Sequence, residues 1–248
     1  MQELVLVGIG TGNPEHLTLQ AIRALNGVDL ILIPRKGAGK ADLADLRRAI
    51  CAEVVTNPGV VLAEFDMPVR DDATPGYLNR VNDWHDAIAA VWQRTVAAQA
   101  QAARVGLLVW GDPSLYDSTL RIAARLRPAP RISVIPGITS LQALTAGHAI
   151  PVNDLGAAFQ VTTGRQLRDH GWPEGVHTIA VMLDGDCSFQ VLPPGGLTIW
   201  WSAYAGMPEE IRVAGPLADA GPRIVALRAE ARQRHGWIMD IYLLRRGL

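Results

Sequence analysis

The chain has little of what marks several large classes of protein. Only two cysteines, Cys51 and Cys187, occur among its 248 residues, and they lie far apart in the sequence. Such a pair supplies neither a disulfide framework nor a cysteine-rich zinc site, so we expect a reducing, cytoplasmic environment. No apolar run approaches the roughly 20 residues of a membrane-spanning helix, so we expect no membrane partner.

An excess of charge is also missing. Lysine occurs only at Lys36 and Lys40, and 23 basic residues against 24 acidic ones leave a formal net charge of −1. Without a strong positive field, we expect no nucleic-acid partner. The hydrophobic share of 49% against 19% charged residues is enough to form a globular core.

The motifs of several common enzyme classes fail in this chain. The first glycine turn, Gly8-x-Gly10-x-Gly12, continues with Asn13 where a GxGxxG motif needs its last glycine. The second predicted strand ends in residues 33–36, which lack the carboxylate that holds the ribose of a dinucleotide. We find no P-loop, nucleophile elbow or HExxH motif, and we expect no metal site.

What the chain does contain is a regular alternation of short apolar runs and helical patterns, which predicts βα units and a largely parallel sheet. In the first half the predicted strands are Leu4–Gly10, Asp29–Pro34, Val60–Phe65, Val105–Trp110 and Ile132–Ile135, and the predicted helices are Leu17–Leu25, Ala41–Ile50, Pro75–Ala103 and Ser118–Leu126. In the second half, with shorter helices, the predicted strands are Phe159–Thr163, Thr178–Leu183, Leu197–Ala203, Ile224–Arg228 and Trp237–Leu244. The pattern predicts two α/β domains, residues 1–136 and 137–248.

Three turns that follow apolar runs carry the main functional signal. They are the Gly8 to Gly12 turn, the Gly111-Asp112-Pro113 turn and the Pro136 to Ser140 segment. Glycine allows the backbone to turn sharply and leaves no side chain above it, so a flat ligand can approach closely. The three turns together predict one small-molecule site built from strand ends.

The order and spacing of these turns resemble those of the motifs of the tetrapyrrole methylase family. Residues 6–19, LVGIGTGNPEHLTL, are similar to the family's opening motif VGxGPGDPxLLT, with Thr11 in place of proline and Asn13 in place of aspartate. Residues 111–116 are similar to its GDPxxY motif, and residues 135–140 to its PGxS/T motif. The acidic YDR-like segment of the family's uroporphyrinogen methylases is absent after the second strand. Residues 17–25 and 29–37 instead resemble a member of the family that acts in cobalamin synthesis.

The resemblance implies S-adenosylmethionine as cofactor, with S-adenosylhomocysteine as product, bound in a cleft flanked by two α/β domains. By that resemblance, the cofactor-binding residues of the first half are Thr11, Trp110, Gly111, Asp112, Leu115, Thr139 and Ser140. Those of the second half are Met182, Leu183, Asp184, Tyr204 and Ala205.

The family also implies a tetrapyrrole substrate that bears many carboxylates, which arginine forks bind well. We therefore expect Arg35 and Lys36 to contact substrate carboxylates, and Tyr116 and Asp117 to position water or a reacting oxygen, with Arg35, Tyr116 and Asp117 as the catalytic candidates. The family commonly forms homodimers. A methylase with another substrate and a non-catalytic module that binds the cofactor remain alternatives.

Overall fold

The computed structural model describes residues 1–35, 41–71, 75–99 and 102–247. It divides into two compact units, Met1–Thr139 and Ser140–Leu248. The division falls after Thr139, whereas the sequence places the domain boundary after Pro136. Among the described residues, no helix combines the length and hydrophobicity needed to cross a membrane.

The first unit is built on a five-stranded sheet in which every pairing is parallel. Its strands are β1 Glu3–Gly8, β2 Leu30–Arg35, β3 Val61–Asp66, β4 Arg104–Val109 and β5 Arg131–Ile135. Their order across the sheet is β3-β2-β4-β1-β5, so β1 pairs with both β4 and β5. Because all strands run in one direction, the turns that follow them emerge at a single edge.

Helices cover both faces of this sheet, which explains why its central strands are nearly continuous apolar runs. The helices are α1 Leu19–Asn26, α2 Ala41–Val54, α3 Tyr77–Ala97 and α4 Thr119–Ala123. One buried cluster joins α3 and α4 to the sheet through Ile88, Trp92 and Ile122. A second cluster joins α1 and α2 to the opposite face through Leu25 and Ile50.

The prediction of a helix over Pro75–Ala103 is wrong at its carboxyl end. Helix α3 ends at Ala97, the amide of Gln99 closes a turn onto the carbonyl of Val96, and strand β4 already begins at Arg104. The high helix propensity of the alanine-rich segment is overridden because the chain has to reverse before entering β4.

The second unit contains a mixed sheet, not the largely parallel one that the sequence predicts. Its strands are β6 Phe159–Thr163, β7 Thr178–Met182, β8 Leu197–Ala203, β9 Ile211–Pro216 and β10 Asp240–Arg246, in the order β6-β7-β10-β8-β9. Only β6 and β7 pair in parallel, and the other pairings are antiparallel. The helices of this unit are α5 Ser140–His148, α6 Gly164–His170 and α7 Leu217–His235.

The prediction of a strand at Ile224–Arg228 is wrong, because these residues lie inside the 19-residue helix α7. Strand β9, which the sequence analysis missed, precedes that helix directly. Helix α7 buries Leu217, Ala220 and Ile224 on one side, a spacing of three and four residues that is typical of a helix. Gly236, with a positive φ of 71°, ends it.

Candidate active site

The three predicted turns contact one another at the carboxyl edge of the first sheet. The turn after β1 pairs with the turn after β4, since the amide of Gly111 donates to the carbonyl of Gly10 at 2.7 Å. The turn after β5 reaches the same place, where the backbone of Gly137 packs against Gly8 and Gly111. The sequence prediction that these turns converge is thus confirmed by the geometry of the first unit.

Glycine is required at this meeting point because backbone lies against backbone. A Cβ on Gly137 would lie 2.1 Å from the carbonyl oxygen of Gly111, and one on Gly8 would lie 2.6 Å from the amide nitrogen of Gly137. Neither approach leaves room for a methyl group, and neither can be relieved by a side-chain rotation. The turns are therefore held at fixed distances from one another.

Asp112 ties the turn after β4 to the turn after β5. Its Oδ2 accepts the amide of Gly137 at 2.9 Å, and its Oδ1 accepts the amide of Ser114 at 2.8 Å. Burial by itself would raise the pKa of this carboxyl, but the hydrogen bonds from Ser114 and Gly137 outweigh it and hold the pKa below its ordinary value. Asp112 is thus an ionised group that fixes the shape of the candidate site.

The turn after β1 is shaped by His16. The Oγ1 of Thr11 lies 3.0 Å from the Nδ1 of His16, and a Cβ on Gly10 would meet the Cβ of His16 at 2.5 Å. Thr11 and Thr139 are both buried, with 9% of their surface exposed. The two threonines are therefore buried within the turns that follow β1 and β5. Ser140 is the first residue of α5 and belongs to the second unit.

Two further predicted cofactor residues flank Gly111. The guanidinium of Arg47 on α2 lies over the ring of Trp110, 5.1 Å from the ring centre. The indole nitrogen of Trp110 is buried and has no hydrogen-bond partner among the residues that the structure describes. Leu115 is half-buried, and its amide donates to the carbonyl of Asp112 at 3.2 Å. Arg47 was missed by sequence reasoning, because no motif distinguishes it from the neighbouring Arg48.

Of the three catalytic candidates, two lie in the turn after β4. Tyr116 is 43% exposed and has a positive φ of 49°, a backbone conformation that non-glycine residues rarely adopt. Partial burial raises the pKa of its hydroxyl. The carboxylate of Asp117 accepts the amide of Thr119 at 2.6 Å, at the start of α4. Strained backbone concentrates at functional sites, so Tyr116 stands out in this turn.

The third candidate, Arg35, is paired within its own sheet. Its Nε and Nη2 donate to the two carboxylate oxygens of Asp66 at 3.0 and 2.9 Å, and its Nη1 lies 3.5 Å from Glu64. A substrate carboxylate at Arg35 would therefore compete with two acidic side chains. Lys36, predicted alongside it, lies outside the described residues.

The predicted segments of the second unit also share an edge of their sheet. Met182 ends β7 and Tyr204 follows β8, and both strands run antiparallel to β10 and thus in the same direction. Leu183 is 67% exposed with a φ of 53°, and Tyr204, with a φ of 52°, is buried. Two strained residues at the ends of two strands mark this edge as a candidate ligand surface. Ala205, beside Tyr204, is buried.

The carboxylate of Asp184 is occupied within the second unit. It accepts the hydroxyl of Tyr242 at 2.7 Å, and both the amide and the hydroxyl of Ser188 at 2.6 and 2.8 Å. A Cβ on Gly164 would lie 2.3 Å from this carboxyl group. Burial raises the pKa of the Tyr242 hydroxyl, which remains a donor to Asp184. The exposed part of the segment is therefore Leu183 and not the side chain of Asp184.

A buried ion pair lies beside the Asp184 segment of that edge. Arg228 on α7 donates to Asp240 through its Nε at 2.9 Å and to the carbonyl of Asp184 through its Nη2 at 3.1 Å. The indole of Trp201 donates to the same carboxylate at 2.9 Å. Sequence reasoning missed this pair because it assigned Arg228 to a strand. Within the described part of the chain, no cluster of three acidic, histidine or cysteine side chains forms a metal site.

Known proteins resemble this chain over its whole length. The precorrin-6A synthase (deacetylating) of Sinorhizobium sp is 46% identical over 252 residues, which cover 100% of this chain and 96% of that protein. The crystal structure of a cobalamin synthesis related protein (CobF) from Corynebacterium diphtheriae is 36% identical, covers 99% of each chain and has a TM-score of 0.83.

A more distant structure supports the fold alone. It is the uroporphyrin-III C-methyl transferase from Thermus thermophilus complexed with S-adenosyl homocysteine, which is 20% identical, covers 98% of this chain and 97% of that one, and has a TM-score of 0.59. Residues 3–221 match the family described as Tetrapyrrole (Corrin/Porphyrin) Methylases. The resemblance seen in the three turns is confirmed, and the chain belongs to the tetrapyrrole methylase family of S-adenosylmethionine-dependent methyltransferases.

Proposed function

We propose that this chain is an S-adenosylmethionine-dependent C-methyltransferase of cobalamin biosynthesis. In this proposal it methylates C-1 of precorrin-5 and releases acetate to give precorrin-6A. The observation that carries the proposal is the 46% identity to a precorrin-6A synthase, which extends over 100% of the chain and includes all three turns.

We propose that the residues implied by the family resemblance are the cofactor contacts. Those of the first unit are Thr11, Trp110, Gly111, Asp112, Leu115 and Thr139, and those of the second are Ser140, Met182, Leu183, Asp184, Tyr204 and Ala205. The meeting of the turns after β1, β4 and β5 supports the contacts proposed in the first unit, because ligands of open α/β sheets bind at the carboxyl ends of the strands.

When bound, S-adenosylmethionine supplies a methyl group on a positively charged sulfur. Transfer of this methyl group would form one C–C bond to a ring carbon of the substrate and break the S–C bond, whose electron pair would stay on sulfur. The protein's part is to hold the carbon and the methyl group in line and near contact. Turns whose backbones are packed as closely as those of Gly8, Gly111 and Gly137 provide that rigidity.

Release of acetate needs water to add to the acetyl carbonyl, with loss of a proton, and the C–C bond to the ring to break so that its electron pair stays on the macrocycle. We propose that Tyr116 and Asp117 position this water or the acetyl oxygen, which is the kind of assistance that typically contributes about 10²–10⁴-fold. Arg35 would bind substrate carboxylates by exchanging them for Asp66. We extend the proposal to a cytoplasmic homodimer, the assembly common in the family.

The test is incubation of the purified protein with precorrin-5 and methyl-labelled S-adenosylmethionine. Label at C-1 together with one equivalent of acetate is the expected result. Label at another position would make the protein a different methylase of the family, and cofactor binding without transfer would make it a non-catalytic module. In the same assay, Arg35→Ala is expected to raise the KM for the macrocycle more than it lowers kcat.

A further inference from the structure

Arg47 is a buried cation in the middle of α2. It is 9% exposed, its Nε donates to the carbonyl of Leu108 at 3.2 Å, and its Nη1 donates to the carbonyl of Leu43 at 3.1 Å. No ion pair to a carboxylate forms within the described part of the chain, and burial lowers the pKa of Arg47 to about 10 despite the attraction of Asp117. A buried charge without an acidic partner is costly, so its presence calls for a reason.

We find that reason in Trp110, the residue against which Arg47 packs. The guanidinium lies 5.1 Å from the centre of the Trp110 ring, a distance typical of a cation–π contact. Trp110 stands between Val109, the last residue of β4, and Gly111, which is bridged to Gly10. Arg47 therefore contacts the end of β4 through the carbonyl of Leu108. It also contacts the ring of Trp110, the first residue of the turn that follows.

Arg47 stands apart from its neighbour on the same helix. Arg48 donates to Glu64 at 2.6 Å and also pairs with Asp45, and its side chain is 39% exposed. Arg48 thus has the usual surroundings of a surface arginine, with acidic partners and access to water. Arg47 is buried, and its contacts found among the described residues are two backbone carbonyls and an aromatic ring.

We propose that Arg47 is a positioning residue that acts through Trp110 and fixes the turn on which cofactor affinity depends. This inference rests on the proposed function, because it takes Trp110 as a cofactor contact. Arg47 itself touches no reacting atom. Its planar guanidinium covers one face of the indole and prevents the ring from rotating away, so that the backbone of Trp110 and Gly111 keeps its position at the candidate site.

The test compares Arg47→Met and Arg47→Lys with Arg48→Met as the matched surface control. The dissociation constant for S-adenosylhomocysteine is measured by isothermal titration calorimetry, and the folded fraction by differential scanning calorimetry on the same samples. We expect R47M to bind about tenfold more weakly, because a ring that is no longer held lets the turn move and misplaces the groups that bind the ligand. R47K keeps the charge and should lose less, and R48M should match the wild type.

A purely structural role for Arg47 predicts a different result. R47M would then melt at a lower temperature, while its folded fraction bound S-adenosylhomocysteine with wild-type affinity, and that outcome would overturn the proposal. In turnover assays, the proposal expects the KM for S-adenosylmethionine to rise more than kcat falls.

If R47M does not fold, R47K and Trp110→Ala are combined in a double-mutant cycle. The proposal expects the effect of R47K on affinity to disappear when Trp110 is absent, and additive effects would refute it. A wild-type protein that fails to bind S-adenosylhomocysteine would refute the proposed function, and the role of Arg47 with it.

Discussion

Replacing Gly137 by alanine probes the contact on which the candidate site is built. The added Cβ would lie 2.1 Å from the carbonyl oxygen of Gly111 and 2.8 Å from two backbone atoms of Gly8. To reach ordinary contact, the turn after β5 would have to move by about 1 Å, because overpacked backbone has no rotamer to change. That movement would also weaken the 2.9 Å hydrogen bond from the Gly137 amide to Asp112.

We expect the two effects together to cost about 3 kcal/mol of the free energy of unfolding, from overpacking and from a weakened hydrogen bond to a charged acceptor. Because a displacement of this size misplaces binding groups, affinity for S-adenosylhomocysteine should fall by about tenfold or more. Urea unfolding measures the first quantity and titration calorimetry the second.

Gly195→Ala is the matched control for this substitution. Apart from its two chain neighbours, no described residue has an atom within 4 Å of a Cβ built on Gly195, so this variant should stay within about 0.5 kcal/mol of the wild type. If Gly137→Ala kept both the wild-type urea midpoint and the wild-type affinity, the close packing of the three turns would be refuted.

Two further substitutions test the polar groups of each unit. Asp112→Asn should lower stability by about 1 kcal/mol near neutral pH, because the amide replaces an ionised acceptor. Since the pKa of Asp112 is lowered in the folded protein, its contribution is complete above its ordinary pKa of 3.8 and is lost as the pH falls through the lowered value. The free energies of unfolding of the wild type and the variant should therefore converge in acid. A difference that persisted there would contradict the stabilising role of the ionised Asp112. Asp240→Ala leaves Arg228 buried without its partner and should cost about 3–5 kcal/mol in urea unfolding, whereas a loss below about 1 kcal/mol would show that water reaches the arginine.

Much of the first unit could be predicted from the sequence because its signals are local. Buried parallel strands are apolar runs bounded by turn residues, and the glycines of the three turns are visible without any knowledge of their partners. The second unit was harder to predict. Residues 224–227 form an apolar run that is short enough for a strand, and only the wider spacing of Leu217, Ala220 and Ile224 identifies helix α7.

The sequence by itself determined the alternation of strands and helices, the three turns and the family, since each of these is encoded in residues close together along the chain. The tertiary structure alone decided which groups are already occupied. It paired Arg35 with Asp66, saturated Asp184 with Ser188 and Tyr242, and placed Arg47 rather than Arg48 over Trp110. Such partners are brought together by the crossing of distant strands and helices, and no local pattern in the sequence specifies which of two similar side chains will be buried.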